Sequence, residues 1–237
     1  NAVTCSAASG TALACGEKTK NGAIGMDSLL SKPLFSVAQK LRQQGKNVGI
    51  VTSVSIDHAT PAAFYAHQPH RSMYYDIALD AAKSDFDFFG GAGFLQLQKD
   101  SNSVNVLTIL RDSNYFIAKG IEEYNRNHEK IVLLQDFEKE SLDFAIDREN
   151  QDLSLSNLVS SALDFLTKDD NGFFLMIEGG LIDWACHSND AATVFAEVED
   201  LSNTMNEVLR FYHQHPDESY HNQSQPNPYP GYDYDSR

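Results

Sequence analysis

The sequence is short of positive charge: 18 lysines and arginines stand against 33 aspartates and glutamates, a formal net charge of -15 over 237 residues. A chain so acidic repels phosphate backbones and anionic lipid, which argues against nucleic acid or a membrane surface as its partner. Cysteine is scarce as well. Cys5, Cys15 and Cys186 are an odd, widely spaced set that fits neither a disulfide framework nor a zinc-finger pattern. No apolar run reaches the roughly 18 to 20 residues of a membrane helix, and the chain does not open on a basic segment followed by an apolar one. The expectation is a soluble chain, either mature or truncated, without internal repeats.

What is present is enough apolar material for one sizeable core, at 42% hydrophobic residues. Leu34, Val37, Ala38 and Leu41 recur at helical spacing, with Pro33 suited to a first turn and Gly45 to the end. The β-branched run Val48 to Ser53 follows and suits a strand buried on both faces. Residues 72 to 83 predict a helix, Phe86 to Phe89 a strand closed by Gly90 and Gly91, and Ile131 to Leu134 and Phe173 to Ile177 two more strands. Leu158, Ala162, Phe165 and Leu166 mark a helix between those two, and a long helix runs from Val194 to Tyr212, while residues 104 to 118 are ambiguous.

This alternation predicts an α/β fold: a three-layer sandwich with a mostly parallel central sheet and helices on both faces. One core is expected over residues 1–215. An irregular tail should follow over 216–237, where Pro226, Pro228 and Pro230 lie among tyrosines and polar residues without an apolar period.

Four places could carry chemistry. Ser6 lies in Val3-Thr4-Cys5-Ser6-Ala7-Ala8, at the start of a small-residue helix whose free N–H groups and dipole favour an anion; a plain serine N-cap is the competing reading. Cys5 could be a thiol nucleophile, although no arginine follows it within a short loop. His58 and Thr60 come just after the Val48 strand and would share a face if extended, as Pro61 encourages, or form a polar turn. Arg71 has the planar fork to hold two phosphate oxygens, though a lone arginine is more often a solvated surface residue.

The fourth place is the most informative. Glu178 ends an apolar strand, Gly179 and Gly180 permit a sharp turn, and Asp183 and His187 then stand at i and i+4 on one helical turn. A carboxylate and an imidazole so spaced can grip one divalent ion, or simply pair on a surface.

In order and in motif, these segments resemble the alkaline phosphatase family over residues 1 to about 213. The matching runs are Val3-Thr4-Cys5-Ser6-Ala7-Ala8 with Gly10-Thr11-Ala12, Lys18 to Gly25, Ala59-Thr60-Pro61-Ala62-Ala63, Arg71, Glu178-Gly179-Gly180, Ile182-Asp183 and His187. The resemblance implies a phosphate monoesterase in which Ser6 forms a phosphoserine and Arg71 clamps the phosphate oxygens. It implies zinc at Asp183 and His187, and magnesium at Thr60 and Glu178 with His58 tuning that site. It further implies small phosphate-ester substrates, a periplasmic or secreted setting and, often, a homodimer.

Three residues depart from the family pattern: Cys5 stands where aspartate is usual, His58 where some relatives have aspartate, and Trp184 where others have lysine or histidine. The family's early Asp-Gly-x-Gly segment and its later Thr-Ala-Asp-His strand end have no match in the sequence, which leaves an incomplete core as the expectation. The alternative reading is an inactive fragment or pseudoenzyme that only binds metal or phosphate.

Overall fold

The computed structural model describes residues 3–215, so the tail expected over 216–237 lies outside the described residues. Five strands form one sheet: β1 (Asn47–Thr52), β2 (Phe88–Gly91), β3 (Tyr115–Lys119), β4 (Lys130–Leu134) and β5 (Phe173–Glu178). Their spatial order is β3-β4-β2-β1-β5, and every pairing is parallel. Side chains alternate faces along each strand, and this divides the core in two. Val48, Ile50, Phe89, Val132 and Met176 pack with α1 (Ser6–Cys15), α2 (Val37–Gln43), α3 (Ala59–Ala62), α4 (Tyr74–Lys83) and α5 (Val106–Asp112). Val51, Phe88, Ile131 and Leu133 pack with α6 (Leu155–Leu166), α7 (Leu181–His187) and α8 (Ala191–Gln214). The three-layer sandwich follows directly.

Local chemistry explains the better-defined elements. All six residues of β1 are buried, as a β-branched central strand of a parallel sheet should be. Helix α6 starts with a capping box between Ser154 and Asn157 and buries Leu158, Ala162, Phe165 and Leu166. A fully buried phenylalanine such as Phe165 contributes about 1.5 to 3 kcal/mol by removing its surface from water.

Three expectations need correction. Helix α2 starts at Val37 rather than near Pro33, because Ser36 forms a capping box with Gln39 while Pro33 bridges to Met26. Strand β2 contains Gly90 and Gly91 instead of ending before them. A Cβ at Gly91 would come within 3.0 Å of the Val54 carbonyl oxygen, so close packing, not a turn, requires glycine there. Residues 59–62 form a short helix rather than extended chain, with Pro61 in its first turn, where a missing N–H costs nothing. The ambiguous stretch resolves into α5, capped by the Asn105 side chain, and β3.

The order β3-β4-β2-β1-β5 also locates a crevice. After β1 the chain moves to β2 on one side, and it later returns to place β5 on the other. The connections out of β1 and β5 run to opposite faces, to α3 and to α7. The carboxyl ends of these two strands therefore flank a topological switch point, the usual place for a ligand in an open α/β sheet.

Candidate active site

The two strand ends at this crevice are tied together. Thr52 and Glu178 are register partners, and the Thr52 hydroxyl donates to Glu178 Oε2 at 2.6 Å. The Ser53 N–H donates to the Glu178 carbonyl oxygen at 3.1 Å, and the Leu181 N–H donates to Ser53 Oγ at 3.2 Å, which seats the start of α7. Burial raises the pKa of Glu178, and the nearby Asp183 charge adds to this; the hydroxyls of Thr52 and Thr60 act in the opposite direction. Thr60 thus reaches the carboxylate, from a helix instead of an extended segment. Gly180 has an ordinary helical backbone, so no sharp turn demands it; a Cβ there would lie 2.8 Å from Val54.

Asp183 and His187 form the expected i,i+4 pair at 3.5 Å, with their side chains 67% and 80% exposed. Between them, Trp184 sets its ring edge-on to His58, with centroids 5.7 Å apart. His58 is also the neighbour of Arg71, whose Nη2 lies 3.3 Å from His58 Nε2. Burial and the adjacent guanidinium push the His58 pKa down to about 4, with Asp183 opposing them. The ring is therefore neutral at physiological pH, and its buried Nδ1 has no hydrogen-bond partner among the described residues.

Ser6 is the first residue of α1 and not its N-cap; that position is taken by Cys5, with extended backbone and no capping hydrogen bond from its side chain. The helix lies close on α3 because Gly10 has no side chain: a Cβ there would be 3.2 Å from Ala63 Cβ and 3.5 Å from Thr60 Cα. Burial alone would raise the Cys5 pKa. It is outweighed by the N–H groups of Ala8, Gly22 and Ala7 and by the charge of Arg71, and the thiol sits below its ordinary value. The Gly22 N–H donates to Cys5 Sγ at 3.0 Å, while Asn21 accepts the Cys5 N–H at 3.3 Å and donates to the Val3 carbonyl at 3.1 Å.

The structure thus brings Arg71 to His58, His58 to Trp184 beside Asp183, and Thr60 to Glu178, all around the β1 and β5 ends. Sequence reasoning missed Thr52, Ser53, Asn21 and Gly22. The polar Thr-Ser pair closing a β-branched run was the available signal for the first two.

Among the described residues, no three His, Cys, Asp or Glu side chains converge as a set that could hold an ion unaided. The donors come in pairs. Their chemistry nonetheless suits divalent ions: Thr60 and Glu178 offer hard oxygens, and Asp183 and His187 a carboxylate with an imidazole.

The alkaline phosphatase family model matches residues 1–90 and 111–219. This chain belongs to the alkaline phosphatase family. It is 35% identical over 215 residues to alkaline phosphatase 4 of Bacillus subtilis, covering 88% of this chain and 46% of that protein. The alkaline phosphatase of the Antarctic bacterium TAB5 superposes with a TM-score of 0.81 at 32% identity, over 90% of this chain and 62% of the other. A cold-active alkaline phosphatase from a psychrophilic Shewanella gives a TM-score of 0.81 at 35% identity, over 91% and 52%. The chain therefore spans about half the length of the curated relative and somewhat more of the solved chains. No helix among the described residues is long and apolar enough to cross a membrane.

Proposed function

We propose that the chain carries phosphate-monoester hydrolysis through a phosphoserine at Ser6. The observation that carries this reading is the placement of Arg71. Its guanidinium lies against a neutral His58 and its charge reaches Cys5, so the cation and the amino end of α1 face one locality. A helix start of this length, with an arginine beside it, favours a phosphate dianion.

In this reading Arg71 holds two non-bridging oxygens, and the Ser6 hydroxyl attacks phosphorus as the bond to the alcohol breaks. The alcohol leaves with a proton. Water then opens the phosphoserine ester, releasing inorganic phosphate and restoring Ser6. Positioning and fixed charge do most of the work, since the chemistry asks little else of the protein. Asp183 and His187 would hold zinc, and Glu178 and Thr60 magnesium with His58 alongside. Such ions, when bound, stabilise the leaving oxygen and lower the pKa of water. A TAB5 variant with a histidine replaced by aspartate has magnesium bound in its M3 site, which supports magnesium as one of the ions in this family. Small phosphate esters in a periplasmic or secreted setting, and a homodimer, go with the same proposal.

The paired donors favour a second reading, a chain that binds phosphate or metal without turnover. A chromogenic phosphate monoester at alkaline pH, with added zinc and magnesium, separates the two. Hydrolysis that disappears in Ser6→Ala, with phosphate recovered on Ser6 by mass spectrometry, supports the enzyme. Hydrolysis unchanged in Ser6→Ala overturns it. Phosphate binding without turnover leaves the second reading.

A further inference from the structure

Thr52 is the one hydroxyl residue of β1, and it is fully buried. Valine would fit a buried central strand equally well in shape and would bring no polar atom to satisfy, so the hydroxyl needs a reason beyond the sheet. Its bonding gives one. The Val54 N–H donates to Thr52 Oγ1 at 3.2 Å, and the hydroxyl in turn donates to Glu178 Oε2 at 2.6 Å. A main-chain N–H can only donate and an ionised carboxylate can only accept, so the single proton of this hydroxyl has one destination.

The donor is held from its other branch as well. The Thr52 methyl lies on the β2 side, 3.4 Å from where a Cβ would stand at Gly91, while the hydroxyl faces β5. A β-branched side chain is stiff at χ1, and one packed between two neighbouring strands cannot re-aim its hydroxyl. Glu178 is fixed at its main chain independently of that hydroxyl, because the Ser53 N–H donates to its carbonyl oxygen at 3.1 Å. Beyond it, a Cβ at Gly180 would lie 3.5 Å from Glu178 Cδ, so the glycine leaves the carboxylate room. A carboxylate offers about four lone-pair sites, and Thr52 takes one of them. Capacity remains for Thr60, whose hydroxyl reaches the same group, and for a cation.

We propose that Thr52 is a positioning residue: its hydroxyl holds the Glu178 carboxylate in an orientation that serves a magnesium ion together with Thr60. A group that orients a metal-holding side chain acts in this way without touching the ion, and its loss weakens the metal rather than the fold. Ser53 serves the neighbouring position instead, since its Oγ accepts the Leu181 N–H at the start of α7, the helix that carries Asp183 and His187. Adjacent hydroxyls of β1 thus divide the work, and removing the one on Thr52 leaves the Asp183 and His187 pair in place. The inference rests on the reading of Glu178 and Thr60 as the groups that hold magnesium.

The test needs no turnover. Trp184 is the only tryptophan of the chain and sets its ring against His58, so its emission reports on the site. MgCl2 and, separately, ZnCl2 are titrated into the 237-residue chain, Thr52→Val and Thr52→Ser, with calorimetry alongside and circular dichroism checking the fold. Thr52→Val should raise the magnesium midpoint at least about tenfold, the lower end for loss of a group that orients a metal ligand. Thr52→Ser, which keeps the hydroxyl and loses the methyl, should stay within about threefold of the parent, and the zinc midpoint should move less than about twofold in either variant. Where Thr52→Val fails to fold, Thr52→Cys, which keeps the size but donates weakly, carries the same expectation. An unshifted magnesium midpoint in Thr52→Val beside a responding parent sinks the role of Thr52 alone. So does a shift in Thr52→Ser as large as in Thr52→Val, which marks packing, or an equal shift for zinc, which marks general distortion. If neither emission nor calorimetry detects magnesium on the parent, the magnesium reading falls and takes this role with it.

Discussion

Cys5 and Arg71 are joined through a single residue: Gly22 donates its N–H to Cys5 Sγ at 3.0 Å and accepts the Arg71 N–H at 2.7 Å on its carbonyl oxygen. Gly22 adopts φ +88, and a Cβ there would lie 2.8 Å from the His70 ring. The sulfur thus ties the loop that carries the guanidinium to the start of α1.

Variants at the middle and at one end of this link separate its parts. Gly22→Ala should cost about 1 to 3 kcal/mol for the left-handed strain. Inorganic phosphate should also bind it about tenfold more weakly by calorimetry, because the Arg71 backbone shifts. Cys5→Ala leaves the Gly22 N–H without its acceptor and should weaken phosphate binding in the same direction. Cys5→Asp restores an acceptor and should retain or improve binding; equal affinity in all three variants would disconnect Cys5 from the clamp.

The cysteines should differ in reactivity. Burial pushes the Cys15 thiol up to about 11, whereas Cys5 is held low and Cys186 is exposed. Iodoacetamide at about pH 8 should label Cys186 and Cys5 well before Cys15, since the thiolate is the reacting form. Peptide mass spectrometry over a time course reads the order, and bound inorganic phosphate should slow labelling at Cys5 alone.

Glu197 gives a pH dependence of known sign. It is buried on α8, accepts the Ala145 N–H at 2.7 Å, and faces Asp200 and Arg148, which pair with each other at 2.8 Å. Burial raises its pKa, Asp200 adds to this, and the Ala145 N–H and Arg148 oppose it. The folded state then binds more protons than the unfolded state just above the ordinary glutamate value of 4.5, so this group's contribution to stability falls as pH rises through that window. Glu197→Gln keeps the acceptor and removes the charge. Its melting temperature should exceed that of the parent at pH 8, with the gap closing toward pH 4; a constant gap would show that titration of Glu197 is irrelevant.

Gly93 tests backbone packing. A Cβ there would come within 2.5 Å of the Asp136 carbonyl oxygen and 2.6 Å of the Lys139 N, both main-chain atoms that cannot swing aside. Gly93→Ala should destabilise by about 3 kcal/mol in urea unfolding, the upper end for overpacking. At Gly49 the tight contacts are with the ends of the Leu166 and Leu175 side chains, so Gly49→Ala should cost less.

Much of this molecule was legible before any coordinates. The six-residue β1 announced itself by β-branching, and Glu178, Asp183 and His187 by a carboxylate at a strand end followed by an i,i+4 pair. Local pattern failed where tertiary contact decides. Gly90 and Gly91 look like a strand terminator, yet they are strand residues shaved down for neighbouring side chains and the Val54 carbonyl. Pro61 suggested extended chain at Thr60, but a proline early in a helix is equally permitted. The tie between Thr52 and Glu178 spans 126 positions in sequence, and the contact between Arg71 and His58 arises from how loops meet above the sheet; no spacing encodes either.

Gly10 lies one helical turn after Ser6, on the same side of α1 that rests against Thr60 and Ala63. The missing methyl acts as a shim of zero thickness beneath the serine. Each atom grown at that position would jack the helix away from its neighbour and retract the hydroxyl with it. The depth to which Ser6 reaches is in this sense written at residue 10, by what is left out.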